Sequence, residues 1–181
     1  MNIIDNDLLS MQEARILVEN AREAQKRLAT FPQAKLDEIV ECMIEEIKKH
    51  LNELAKMSNE ETEYGRWEDK YIKNHFVCKD LKNRLKGMNC VGIISDDKEN
   101  MTKDVGVPMG VIIAFCPATS PVSTTIYKAL IAIKSGNAII FSPHPRAKNT
   151  TFKTMDILIR AAKEAGLPEE IGRASCRERV S

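Results

Sequence analysis

Two short, uninterrupted apolar runs separated by a helix-length segment constrain the fold of this chain most. Gly110–Phe115 and Ala138–Phe141 contain no polar side chain, and such runs are typical of strands buried on both faces of a parallel sheet. Between them, Ser123–Ser135 has helical apolar spacing and is followed by Gly136, a helix-stop signal. We therefore predict a right-handed strand-helix-strand unit, followed by a second helix that ends before Gly166.

The first half of the chain is predicted to be helical. A capping-box pattern, Ser10 with Glu13, places the start of the first helix at Ser10. Pro32 is expected in the first turn of the second helix, and Ser58–Trp67 is expected to be a polar connection between the third and fourth. The apolar residues whose helical spacing predicts the four helices are Leu17, Ala21, Ala24 and Leu28; Leu36, Ile39, Met43 and Ile47; Leu51, Leu54 and Ala55; and Ile72, Phe76 and Leu85.

The periodicity changes after the fourth helix. Cys90–Ile94 and Thr102–Val107 are β-prone and flank a turn-rich segment, which predicts a β-hairpin. The expected fold class is therefore α/β, with no internal repeat. We divide the chain into a helical region over 1–89, a hairpin over 90–107, a βαβα unit over 108–172 and a tail over 173–181.

The tail fits neither a helix nor a strand pattern. It contains three arginines and no apolar spacing, so we interpret residues 173–181 as non-native, with a native basic C-terminus as the alternative. On the first interpretation the βαβα unit is truncated.

Charge and cysteine content exclude several classes of function. Lys and Arg number 27 against 26 Asp and Glu, and aromatic residues make up 5%, so neither phosphate attraction nor base stacking favours nucleic acid as a partner. No apolar run approaches the roughly 20 residues needed to span a membrane. The five cysteines form no Cys-x-x-Cys pair, which indicates reduced thiols in a cytoplasmic protein. His75 and Cys78 are too few ligands to predict a metal site.

The loops that follow the two apolar strands carry the candidate binding residues. In parallel sheets, ligands lie beyond the carboxyl ends of the strands. The loops at 116–121 and 142–145 are rich in proline, which fixes their shape, and in hydroxyl groups that can donate to ribose or phosphate oxygens. Neither contains a dinucleotide Gly-x-Gly-x-x-Gly pattern or a phosphate-binding loop. Two rigid connecting loops are the alternative, and His144 is either a hydrogen-bond donor to a cofactor or a surface residue.

The same loops resemble a known family. The sequences at 117–130 and 136–148 are similar to those of CoA-acylating aldehyde dehydrogenases, which include the free-standing acetaldehyde and propionaldehyde enzymes and the N-terminal half of bifunctional aldehyde-alcohol dehydrogenases. The segment 61–76, with Glu61, Thr62 and Gly65, is also similar. The resemblance covers residues 10–172, and its most specific part is Phe141–Ala147, where hydrolytic relatives carry Lys-Pro-Ser.

The resemblance implies a Rossmann-like NAD domain and a reaction in which an aldehyde, coenzyme A and NAD give acyl-CoA and NADH through a cysteine thioester. It implies that the catalytic cysteine lies beyond this chain, that the fragment is inactive, and that Thr119 contacts the oxyanion side. The implied cofactor-binding residues are Phe115, Cys116, Pro117, Ala118, Thr119 and Ser120 on the nicotinamide side, and Ser142, Pro143, His144 and Pro145 on the adenosine side.

Packing roles are expected for the cysteines that precede the tail. We place Cys42 on the apolar side of the second helix, Cys78 and Cys90 beside the connection to the hairpin, and Cys116 as a small packing residue.

The resemblance also implies a homo-oligomer assembled partly through the hairpin, in the cytoplasm or inside a bacterial microcompartment. A non-catalytic nucleotide-binding or oligomerisation module is the alternative function.

Overall fold

Six helices and four strands form within residues 6–167, the part of the chain that the computed structural model describes. Residues 168–172 of the predicted 108–172 unit and the 173–181 tail lie outside the described residues. The helices are α1 (Asn6–Leu28), α2 (Gln33–Lys49), α3 (Leu51–Thr62), α4 (Trp67–Leu85), α5 (Pro121–Lys134) and α6 (Lys148–Glu164). The strands are β1 (Gly92–Asp97), β2 (Thr102–Gly106), β3 (Val111–Cys116) and β4 (Ala138–Pro143), and a 3-10 turn spans Pro145–Ala147.

The strands form two separate pairs, as predicted. β1 and β2 make an antiparallel hairpin, whereas β3 and β4 are parallel and are joined by α5. The α/β fold class is therefore confirmed. No helix within residues 6–167 is long and apolar enough to cross a lipid bilayer.

Asn137 fixes the register of the parallel pair. Its side-chain Oδ1 accepts a hydrogen bond from the amide of Gly110 at 2.9 Å, and the amide of Ala138 donates to the carbonyl of Gly110 at 3.0 Å. Gly136, with φ of 69°, makes the left-handed turn between α5 and this contact. The start of β4 is thereby held opposite the start of β3.

The core lies between the helices and the parallel pair. The predicted apolar positions of α2 and α3 are buried, as are all four residues of Ala138–Phe141 on β4. α5 and α6 pack against β4 and α2 through Ile126, Leu130, Ile157 and Leu158, each at most 2% exposed.

The predicted apolar face of α4 is wrong at two of its three positions, and Leu85 alone of the three is partly buried against the core. Ile72 and Phe76 are 65% and 61% exposed, whereas Asn74, Cys78 and Leu81 form the buried stripe. The neighbouring α3 explains part of this, because Lys70 of α4 donates from Nζ to the hydroxyl oxygen of the buried Ser58 at 3.0 Å. The hydroxyl groups of Ser58 and Thr62 on α3 thus face Lys70 of α4.

Several predicted boundaries are also wrong. α1 begins at Asn6, so Ser10 lies inside the helix and does not cap it. α3 continues to Thr62, which places the first half of the expected polar connection in a helix. Pro32 is the residue before the first turn of α2, where its extended ψ of 156° does not continue the helix.

Two predicted burial patterns differ from the structure. Cys42 is exposed, because it lies outside the buried stripe of α2 that Leu36, Ile39 and Met43 define. β3 is buried on one face only, since Ile113 and Phe115 are 58% and 69% exposed. β4 alone shows the two-sided burial expected of both strands.

Gln33 joins α2 to the hairpin and to α5. Its Oε1 accepts hydrogen bonds from the amides of Cys90 and Val91 at 2.7 and 3.0 Å. Its Nε2 donates to the carboxylate of Asp37 at 2.7 Å and to the carbonyl of Lys134 at 3.2 Å. One amide side chain therefore ties three separate elements together.

Candidate functional site

The two loops singled out in the sequence lie side by side at the carboxyl ends of β3 and β4. Cys116 pairs with Pro143 at the end of the parallel register. The amide of His144 donates to the carbonyl of Cys116 at 3.0 Å, so the second loop is bonded to the first. The structure thus brings the two sets of predicted cofactor-binding residues together.

The loop after β3 presents three side chains to solvent. Phe115, Pro117 and Thr119 are exposed, while Ala118 and Ser120 are half-buried. The hydroxyl of Ser120 lies 3.4 Å from that of Thr124, and its carbonyl accepts a hydrogen bond from the amide of the same residue. This first turn of α5 fixes the end of the loop.

Cys116 faces the interior and is not available to a ligand. It is 3% exposed, and its Sγ lies 3.3 Å from the hydroxyl of Thr125 on α5. Burial raises the pKa of this thiol. The side chain acts in packing, and only the backbone of Cys116 contributes to the loop surface.

The loop after β4 leaves two polar groups available. The Nδ1 atom of His144 accepts a hydrogen bond from the amide of Arg146 at 3.1 Å, which in the neutral ring places the proton on Nε2. The His144 ring is exposed, and the half-buried Ser142 hydroxyl makes no hydrogen bond with any described residue. Pro143 and Pro145 flank the ring, Pro143 half-buried and Pro145 exposed. Ser142 and His144 can therefore donate outwards from the strand end.

A groove between α1 and the parallel pair reaches both loops. It is lined by Glu13, Ala14, Leu17, Ile113, Phe115 and Ser142, among others. No local sequence pattern indicates this groove, because it combines the N-terminal helix with two strands of which the first begins 83 residues after that helix ends. Its apolar walls and few polar groups are typical of small-molecule sites.

Glu61 contacts the helix that follows the second loop. Its two carboxylate oxygens accept hydrogen bonds from the amides of Asn149 and Thr150, each at 2.7 Å. These amides belong to the first turn of α6. The contact joins residues 88 and 89 positions apart, and no local sequence signal marks it.

Within residues 6–167, no cluster of three or more His, Cys, Asp or Glu side chains could hold a metal ion. Cys78 is fully buried, and burial raises the pKa of its thiol to about 11.

A parallel βαβ unit with polar loops at its strand ends defines the class of α/β proteins that bind ligands at that edge of the sheet. The aldehyde dehydrogenase family model matches residues 3–173. The chain belongs to this family, which confirms the resemblance seen in the sequence.

The chain is similar to a bifunctional aldehyde-alcohol dehydrogenase and to an acetylating aldehyde dehydrogenase. The chain is 40% identical over 162 residues to the bifunctional aldehyde-alcohol dehydrogenase AdhE of Escherichia coli K12, a match that covers 90% of this chain and 18% of the relative. It is 43% identical, with a TM-score of 0.88, to an acetylating aldehyde dehydrogenase from Geobacillus thermoglucosidasius, covering 93% of this chain and 37% of that one. The chain thus spans well under half the length of these relatives.

Two further structures of the family contain bound molecules. The propionaldehyde dehydrogenase of Rhodopseudomonas palustris, with bound CoA and an acylated cysteine, is 28% identical, with a TM-score of 0.66, covering 87% of this chain and 36% of that one. An engineered glycolyl-CoA reductase with bound NADP+ is also 28% identical, with a TM-score of 0.66, covering 87% of this chain and 35% of that one.

Proposed function

We propose that this chain is the N-terminal part of an NAD-dependent, CoA-acylating aldehyde dehydrogenase that converts a small aldehyde into its acyl-CoA. Two outward donors at one strand end, the Ser142 hydroxyl and the His144 ring, carry the proposal. Family membership and the acylating relatives support the reaction class. In this proposal the aldehyde reacts at a cysteine that lies beyond this chain, and coenzyme A takes the acyl group.

The donor set fits a dinucleotide. Ribose hydroxyls need donors and acceptors at the strand end, and Ser142 supplies both while His144 supplies an N–H. Bound NAD supplies the oxidant for the aldehyde. The residues of this chain bind and orient it: Ser142 and His144 on the adenosine side, and the 115–120 loop with its exposed Thr119 on the nicotinamide side.

We expect Ser142→Ala and His144→Ala in the complete enzyme to weaken NAD binding without slowing the chemical step. Losing one neutral hydrogen bond costs about 0.5–1.5 kcal/mol, a factor of roughly 2 to 13 in the dissociation constant. The turnover rate at saturating NAD should stay near that of the parent, since both side chains lie on the adenosine side. Calorimetric titration with NAD, paired with steady-state rates, measures both quantities.

His75→Ala is the matched control, because His75 is an exposed histidine on α4 outside both loops. Rigid connecting loops without a cofactor role predict unchanged NAD affinity in all three variants. The alternative function, a non-catalytic module, predicts that the complete protein forms no NADH from an aldehyde and coenzyme A.

We further propose that the complete enzyme is a cytoplasmic homo-oligomer, with a bacterial microcompartment as the alternative location. The hairpin supports the first part: Ile93 and Val105 are directly paired and are 55% and 58% exposed. An exposed two-stranded ribbon with free edges is marginally stable alone and gains from pairing with another sheet.

We expect Ile93→Lys combined with Val105→Lys to lower the oligomeric state, because two charges would have to be buried at the subunit contact. Light scattering gives the mass of the assembly. Met101→Lys, at the 89% exposed hairpin turn, is the control. A parental mass for the double variant would show that the hairpin does not hold the oligomer together.

A further inference from the structure

The N-terminus of α6 has no cap of its own. The residue before its first turn is Ala147, whose methyl side chain cannot accept a hydrogen bond. The first amides of a helix have no partner within the helix, and a side-chain oxygen of the preceding residue usually accepts from them. Here Glu61 of α3 takes that role, with one 2.7 Å bond to each of the amides of Asn149 and Thr150. Its negative charge at a helix N-terminus adds a favourable electrostatic interaction.

A chain of hydrogen bonds connects this cap to the His144 loop. The hydroxyl of Thr151 donates to the carbonyl of Ala147 at 2.7 Å, and the amide of Ala147 donates to the carbonyl of His144 at 2.9 Å. At its other end, His144 is held by the bond from its amide to the carbonyl of Cys116. His144 therefore lies between two fixed points, the end of β3 and the start of α6.

The orientation of the His144 ring depends on the same turn. The amide of Arg146, inside the 3-10 turn, donates to Nδ1 and so keeps Nε2–H as the outward donor. A shift of α6 away from Glu61 moves this turn and with it the amide that selects the ring nitrogen.

We propose that Glu61 is a positioning residue for cofactor binding: by capping α6 from another helix, it holds the His144 ring with its Nε2–H directed at the ribose. The inference rests on the proposed function, because it needs a dinucleotide at the β4 loop. Glu61, a side chain of the N-terminal helices, thus affects NAD affinity without touching NAD.

The test is a double-mutant cycle in the complete enzyme with NAD as the ligand. Glu61→Gln keeps one acceptor oxygen and leaves one α6 amide without its partner. We expect it to raise the dissociation constant for NAD by about two- to thirteen-fold, with the rate at saturating NAD unchanged. Since Glu61 acts through His144, the same change made in a His144→Ala enzyme should raise the constant by less than about twofold.

Glu60→Gln is the matched control, because Glu60 is the exposed neighbour on α3 and its carboxylate makes no hydrogen bond or ion pair within residues 6–167. It should leave NAD affinity at the parental value in both backgrounds. A Glu61→Gln effect of equal size with and without His144 would overturn the inference and indicate a general loss of stability. Parental NAD affinity in Glu61→Gln would overturn the role of Glu61 but not the proposed function. A parent enzyme that does not bind NAD would overturn both.

Discussion

The purified 181-residue chain is expected to form no NADH from acetaldehyde, coenzyme A and NAD. Acyl transfer through cysteine needs a thiolate beside the cofactor, and therefore a thiol with a lowered pKa. Cys116, the one cysteine in the two loops, is instead buried and has a raised pKa. Cys42 and Cys90 lie outside both loops, Cys78 is fully buried in α4, and Cys176 belongs to the tail outside the described residues. We therefore expect the whole enzymatic acceleration, at least about a millionfold, to be missing.

Absorbance at the NADH band, followed with and without coenzyme A, measures this. An acetylating aldehyde dehydrogenase such as that of Geobacillus thermoglucosidasius is the positive control for the assay. Cys116→Ala is the matched variant of the chain itself. NADH formation that requires coenzyme A in the parent chain and disappears in Cys116→Ala would contradict the expectation and identify Cys116 as the nucleophile.

The sequence predicts correctly those elements whose own pattern of apolar residues determines whether they are buried. β4 is apolar and buried over Ala138–Phe141, and α5 ends at Lys134, two residues before Gly136. Both outcomes depend on local side-chain and backbone preferences, which a sequence contains directly.

The errors occur where two local patterns compete or where partners are distant. On α4, Ile72 with Phe76 and Asn74 with Cys78 both have helical spacing, and periodicity favours the more apolar pair, although α3 packs against the other. The capping-box pattern at Ser10 also occurs within helices, so it does not by itself mark a start.

Part of the site is predictable from the sequence, because it depends only on the order of the strands and helices. The strand-end rule places Ser142 and His144 correctly beside the loop that follows β3, because sheet topology alone determines it. The Glu61 cap on α6 depends on how α3 packs against a helix that begins 86 residues after α3 ends. Such tertiary contacts leave no periodic pattern in the sequence.

Removal of the Asp37 carboxylate is expected to destabilise the protein more than any other single change to the ion pairs within residues 6–167. Asp37 of α2 accepts a 2.6 Å hydrogen bond from Nζ of Lys134, whose side chain is 3% exposed at the end of α5. Asp37→Ala leaves this ammonium group buried without a counter-charge and also removes one of the two acceptors of the Gln33 side-chain amide. Breaking a buried pair from one side costs about 3–5 kcal/mol, and Asp37 is 39% exposed, so we expect the lower end, about 3 kcal/mol.

Because the cost comes from the stranded charge, the complementary variant should behave differently. Lys134→Met removes the charge and keeps an unbranched apolar chain in the same space, so we expect it to cost about 1 kcal/mol or less. Glu38→Ala, which breaks the i,i+3 pair with Lys35 on the same helix, is the surface control and should cost a few tenths of a kcal/mol. In a protein of this size, about 3 kcal/mol lowers Tm by roughly 6–12 °C, which calorimetry or thermal circular dichroism resolves easily. Equal losses of stability in Asp37→Ala and Lys134→Met would contradict this account. They would show that the contact stabilises the protein through packing, since only a buried unpaired charge makes the two substitutions unequal.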